Sequence, residues 1–148
     1  MIIMSVCTFF GHRDTPSAVK GELKCVLSEL IEKEGVNSFL VGNEGNFDFM
    51  AKSVLAELKS VYSHINYGVV IAYLDEAKRL SSSEDVVFPE GLECVPKRFA
   101  VDYRNKWLLK QSDYVVSYVI KGFGGAAKFA GMAEKQGLTV INLSKQKT

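Results

Sequence analysis

Four short stretches of this chain hold residue types suited to binding, or acting on, an anionic ligand rich in hydroxyl groups. The first is Gly11-His12-Arg13-Asp14, which follows an apolar run. The second is "VGNEGNFD", Val41 to Asp48, in which Gly42 and Gly45 permit positive φ and Asn43 is an amide able to bond a polar ligand or cap a helix. The third is Arg104-Asn105, whose planar guanidinium suits a phosphate or carboxylate. The fourth is "KGFGGAAK", Lys121 to Lys128, where Gly124, Gly125 and Ala126 open a small-residue helix. Such a turn offers unpaired backbone N–H groups and the positive end of a helix dipole to a phosphate. It has neither the Gly-Lys-Ser/Thr of a Walker A loop nor the dinucleotide fingerprint spacing. Asp48 falls in the first turn of the next helix, where a carboxylate repels phosphate but accepts hydrogen bonds from sugar hydroxyls or a base. Asp48 and His12 are the candidate acid/base groups, since histidine titrates near neutrality.

The elements around these stretches alternate. Apolar runs predict strands over Ile2–Phe10, Ser38–Val41, Tyr67–Tyr73, Val86–Phe88, Tyr114–Ile120 and Leu138–Leu143. Helical spacing links Val19, Leu23, Val26, Leu27, Leu30 and Ile31, with Thr15 as N-cap, Pro16 in first position and Gly35 as the stop. A second helix carries Met50, Val54, Leu58 and Val61 as its apolar stripe, with the loop asparagines available to cap it. A third, Lys97–Lys110, carries Phe99, Tyr103 and Trp107, which leaves Arg104 at the border of the buried stripe. A fourth spans Gly125–Gln136 and closes at Gly137. Strands alternating with helices imply parallel pairing, hence a single-domain α/β Rossmann-like three-layer sandwich over residues 1–148, with a mainly parallel sheet. Ligands of such sheets bind beyond the carboxyl ends of the strands, where these polar, glycine-rich stretches and Asp75 should gather.

Composition narrows the class. Hydrophobic residues at 47% predict a packed core, and a formal charge of +1 gives no strong nucleic-acid signal. Three cysteines and two histidines lack metal-ligand spacing, so no metal is expected, and Cys7 and Cys25 read as core thiols. No apolar run is long enough to span a bilayer, and the start has no signal-peptide pattern, so a cytoplasmic protein is expected. Apolar helix faces leave a homodimer open, and no cofactor is specified.

The order "TFFGHR", "GNEGNFD", "YRNKWLLKQSD" and "GGAAKFA", over nearly the whole chain, resembles the YpsA-like branch of the SLOG superfamily. That superfamily joins the DNA-processing DprA proteins with the Lonely Guy phosphoribohydrolases. The resemblance rests most on "GHR" and on "RN" followed by Ser112-Asp113. It implies a Rossmann-like fold and a nucleotide or nucleotide-derived ligand. The chain departs from the Lonely Guy pattern "PGGxGTxxE": Ala126 stands at the threonine, and the glutamate falls near Lys128 or Phe129. The expectation is therefore a sensor or regulatory module. Gly124, Gly125, Ala126 and Arg104 would meet phosphate, and Asp48, Asn43 and Gly42 the sugar or base. Gly11, His12 and Arg13 would form the other wall, with Gly45 and Asn105 beside them. The alternative is a hydrolase of an N-glycosidic or phosphate bond using Asp48 or His12. A pure protein-interaction domain would leave the decorated strand ends unexplained.

Overall fold

The computed structural model describes residues 4–80 and 84–145. The expected start of the first strand at Ile2 and the serines of the polar loop, Ser81 to Ser83, lie outside them. Six strands form one sheet: β1 Val6–Gly11, β2 Ser38–Val41, β3 Asn66–Val70, β4 Val86–Val87, β5 Tyr114–Tyr118 and β6 Thr139–Asn142. Their order is β4-β3-β2-β1-β5-β6, and every pairing is parallel. The chain winds outward from β1 to β4, then returns past β1 to lay down β5 and β6. The direction of winding thus reverses between β1 and β5.

Four helices cover the sheet: α1 Lys20–Lys33, α2 Gly45–Val61, α3 Ala100–Gln111 and α4 Gly125–Lys135. β1 has a side-chain period of two, so its residues alternate between the two helical layers. Cys7 and Phe9 join Leu23, Leu27, Val54 and Leu55 of α1 and α2 in one core. Phe10 joins Leu108 and Leu109 of α3 and Phe129 and Ala133 of α4 in the other, its ring stacked on Phe129. A β1 buried on both faces explains its unbroken apolar run.

Helix ends follow local chemistry with some departures. Gly35 (φ +73°) ends α1 in the left-handed region, and the Val36 N–H returns to the Leu30 carbonyl. Thr15 is not a side-chain cap: its hydroxyl donates to the His12 carbonyl, and a 3-10 turn, Ser17–Val19, precedes α1. The loop asparagines do not cap α2 either. Asn43 Oδ1 accepts from Lys52 Nζ, and Asn46 Nδ2 points to the Thr15 carbonyl. The N-cap residue is Glu44, which makes no side-chain cap; instead Asp48, inside the first turn, accepts the Glu44 N–H on Oδ2 at 2.8 Å. Val61 is exposed, because Phe47, Ala51 and Leu55 complete the buried face of α2 instead.

Cys7 is buried, with its thiol pKa pushed up by desolvation, whereas Cys25 is exposed on the outer side of α1. Ser112 and Asp113 lie at the amino end of the sheet. Asp113 Oδ2 accepts the Val6 N–H, which ties the starts of β1 and β5 together, and Ser112 Oγ donates to the Leu108 carbonyl. No described helix is long and apolar enough to cross a membrane.

Candidate functional site

A cavity of about 240 Å³ opens at the carboxyl end of β1, beside the reversal between β1 and β5. Its walls come from Gly11, His12 and Arg13 after β1, Gly42 and Glu44 after β2, Asp48 of α2, Arg104 and Asn105 of α3, and Gly125 and Ala126 of α4. Phe9, Phe10, Val101 and Leu108 supply the apolar part. Residues far apart in the chain converge because parallel strands present all their carboxyl ends on one edge.

α3 places Arg104 in the centre of its buried stripe, not at the border. The inward face is Ala100, Arg104, Leu108 and Leu109, while Phe99 is half exposed and Tyr103 and Trp107 lie at the sides. The guanidinium is tied on three sides. Nη1 donates to the Val70 carbonyl at 2.9 Å, Nε to Asn105 Oδ1 at 2.9 Å, and Nη2 reaches Glu44 Oε1 at 3.4 Å. Glu44 Oε2 also pairs with Arg13 Nη2 at 2.8 Å, so one carboxylate bridges two arginines.

Asp48 is 9% exposed. Its burial raises its pKa from 3.8 to about 6; the hydrogen bond from the Glu44 amide and the charge of Arg104 oppose this rise. Among the described residues its second carboxylate oxygen has no hydrogen-bond partner, and the carboxyl faces the cavity. Gly42 makes this packing feasible. A Cβ there would stand 2.8 Å from Asp48 Oδ2 and 3.2 Å from Arg104 Nη1.

His12 is used differently from the other wall residues. Its Nε2 accepts the N–H groups of Ile120 (3.0 Å) and Lys121 (3.2 Å), which fastens the loop after β5 to the end of β1. This requires Nε2 to be unprotonated, and the lone pair a general base would use is already engaged. Asp14 is exposed and pairs with Lys121 across the same junction.

The glycines divide by role. A Cβ on Gly11 would fall 2.2 Å from Phe47 Cγ, so Gly11 admits the Phe47 ring. Gly45 (φ +83°) lies against Arg13 and does not line the cavity. Asn43, bonded to Lys52, and Gly124, the left-handed residue before α4 (φ +95°), are also off the wall. Gly125 lines the cavity, and a Cβ there would meet nothing within 4 Å. Asp75 is exposed away from the site. At the end of β3 the buried residue is Glu76, whose Oε1 accepts the N–H groups of Ala72 and Tyr73. Glu44 was not anticipated, although it is the sole charged residue between Gly42 and Gly45. No group of three or more His, Cys, Asp or Glu among the described residues is arranged to hold a metal ion.

No family model matches the chain, and no curated protein matches it. Among solved structures it is similar to DNA processing protein A (DprA) from Streptococcus pneumoniae, with a TM-score of 0.67 at 17% sequence identity. The match covers 93% of this chain and 49% of DprA, so the chain spans about half the length of that protein. DprA belongs to the SLOG superfamily, and the likeness establishes a shared Rossmann-like α/β fold.

Proposed function

We propose that this chain binds a nucleotide or nucleotide-derived small molecule at the carboxyl edge of its sheet, as a sensor or regulatory module of the YpsA-like kind. The observation that carries this reading is the two-sided cavity. One wall is the glycine-rich start of α4, with backbone N–H groups and a helix dipole suited to phosphate. The other holds a buried carboxylate with an oxygen available to a hydroxyl donor. A phosphate joined to a sugar carries both complementary groups. The volume, about 240 Å³, lies just below the roughly 300–1,000 Å³ of sites that enclose drug-sized ligands.

The hydrolase reading retains one specific support: a carboxyl group titrating near pH 6 is poised to exchange a proton near neutrality. Asp48→Asn separates the two readings. A binding module loses some affinity and has no turnover to lose. A hydrolase keeps its affinity while release of free base or sugar phosphate collapses.

Binding itself is tested by native mass spectrometry and a thermal-shift panel of nucleoside monophosphates, NAD derivatives and sugar phosphates. Gly125→Val is the control. The added Cβ meets no protein atom within 4 Å, so the variant should keep its fold, yet it should weaken a phosphorylated ligand at least tenfold by covering the α4 amides. Unchanged affinity in folded Gly125→Val would remove the phosphate from this wall.

A further inference from the structure

The contacts of Glu44 are unusual for a loop carboxylate at the mouth of a cavity. It reaches Arg13 on the outside and Arg104 on the inside while its own backbone N–H is held by Asp48. The two arginines differ in freedom. The Arg13 side chain is 77% exposed, whereas that of Arg104 is 4% exposed and fixed by Val70 and Asn105 independently of Glu44. Arg104 Nη2 is therefore a preset cation facing the cavity. Its separation from Glu44, 3.4 Å, is well beyond the roughly 2.7–2.9 Å of a tight charge-assisted bond. Glu44 is also nearer to water than Arg104, with 18% of its side chain exposed against 4%. Without Glu44, Arg104 keeps its bonds to Val70 and Asn105.

We propose that the Glu44 carboxylate is an internal stand-in for the ligand's anionic group: it occupies the place between Arg13 and Arg104 that a phosphate monoester takes, and such a group displaces it on binding. This rests on the binding reading above and deepens it. With Glu44 in place, the wall holds two guanidiniums against two carboxyl groups, and their charges offset. With Glu44 turned out, Arg13, Arg104 and the start of α4 face Asp48 alone. A neutral nucleoside brings no charge to replace the one Glu44 supplies, so it leaves the pair closed. A phosphate dianion replaces it with more charge and with oxygens that engage both arginines. The closed pair also lowers apparent affinity, because only the fraction of molecules with Glu44 turned out is competent to bind.

The test compares wild type, Glu44→Gln and Glu44→Ala by calorimetric titration with inorganic phosphate, AMP and adenosine. Glu93→Gln, an exposed carboxylate change of equal charge, is the control. An open fraction of about one tenth predicts phosphate and AMP affinities about tenfold higher in both Glu44 variants, with adenosine and the Glu93→Gln protein unchanged. Phosphate at saturating concentration should also raise the melting temperature of Glu44→Ala more than that of wild type, because it refills the place left beside Arg104. Phosphate and AMP binding equal to wild type, or weaker, in both Glu44 variants overturns the stand-in and leaves nucleotide binding intact. An equal gain in Glu93→Gln reduces the effect to net charge and overturns it as well. Failure of every protein, wild type included, to bind phosphate or AMP overturns the nucleotide reading and this inference with it.

Discussion

Replacing Asp48 with Asn should make the protein more stable at pH 7 and should flatten part of its pH dependence. The folded chain holds the Asp48 proton more tightly than an unfolded chain, with a pKa of about 6 against an ordinary 3.8. Between these values the native state binds more protons than the unfolded state, so stability falls as pH rises. The stabilisation is complete below about pH 4 and is lost by a little above pH 6. At 1.36 kcal/mol per pH unit, a rise from 3.8 to about 6 corresponds to roughly 3 kcal/mol of cost for the ionised form at neutral pH.

Asparagine keeps the shape and an oxygen for the Glu44 N–H but never ionises. The difference in unfolding free energy, Asp48→Asn minus wild type, should grow by about 2 kcal/mol between pH 4.5 and pH 7.5, with the variant gaining. For a chain of this length that is a melting-temperature gain of about 5–10 °C at pH 7.5. Urea titrations of both proteins at half-unit pH steps measure it, and the subtraction cancels the other carboxyl groups. A difference that stays flat with pH, or a variant that loses stability as pH rises, would refute the reasoning. Arg104 would then compensate the Asp48 charge in full.

Two further outcomes follow from the packing. Gly42→Ala should cost about 1–3 kcal/mol and displace the Asp48 carboxyl, because the added carbon approaches Oδ2 to 2.8 Å; a urea midpoint equal to wild type would show the site to be looser than described. His12→Ala should raise the hydrogen-exchange rates of the Ile120 and Lys121 amides by about tenfold or more while leaving the Cys7 amide, deep in the central strand, protected; unchanged exchange at both loop amides would mean that His12 does not anchor the loop.

The alternation of strands and helices was legible because each element carries its own period and glycine punctuation. Phe9 and Phe10 face opposite cores, and that fact alone demands a strand covered on both sides. The meeting of the loops after β1, β2 and β5 was legible too, since parallel strands share one edge; the loop after β3 was expected there as well, but Asp75 turns away from the site. Side-chain direction was not. On α3 the aromatic residues suggested the inward face, yet Tyr103 turns to the segment after β4, where its hydroxyl donates to the Glu90 carbonyl. The polar Arg104 takes the centre because Val70, Asn105 and Glu44 satisfy its charge there. Cys25 and Val61 show the converse: an apolar residue in periodic company can still fall on the outer side of its helix. In "GNEGNFD" the asparagines looked like the polar actors. The structure has Asp48 accept the N–H of the N-cap residue and gives the bridging charge to Glu44, because pairing across 60 residues, from Glu44 to Arg104, has no local signature.

The reversal of the sheet beside β1 also bears on how the protein acquires its site. His12 meets the backbone of Ile120 and Lys121 across 108 and 109 positions, and Val6 meets Asp113 across 107. Contacts this distant in sequence require large loop closures, and chains dominated by them fold slowly for their size. The N-terminal β1–β4 half holds Arg13, Glu44 and Asp48, but the Arg104 guanidinium and the α4 amides arrive only with the later half. During synthesis the pocket therefore comes into being only after β5 has slotted in beside β1. A ligand of the kind proposed above would therefore meet a complete pocket only in molecules whose whole sheet has formed.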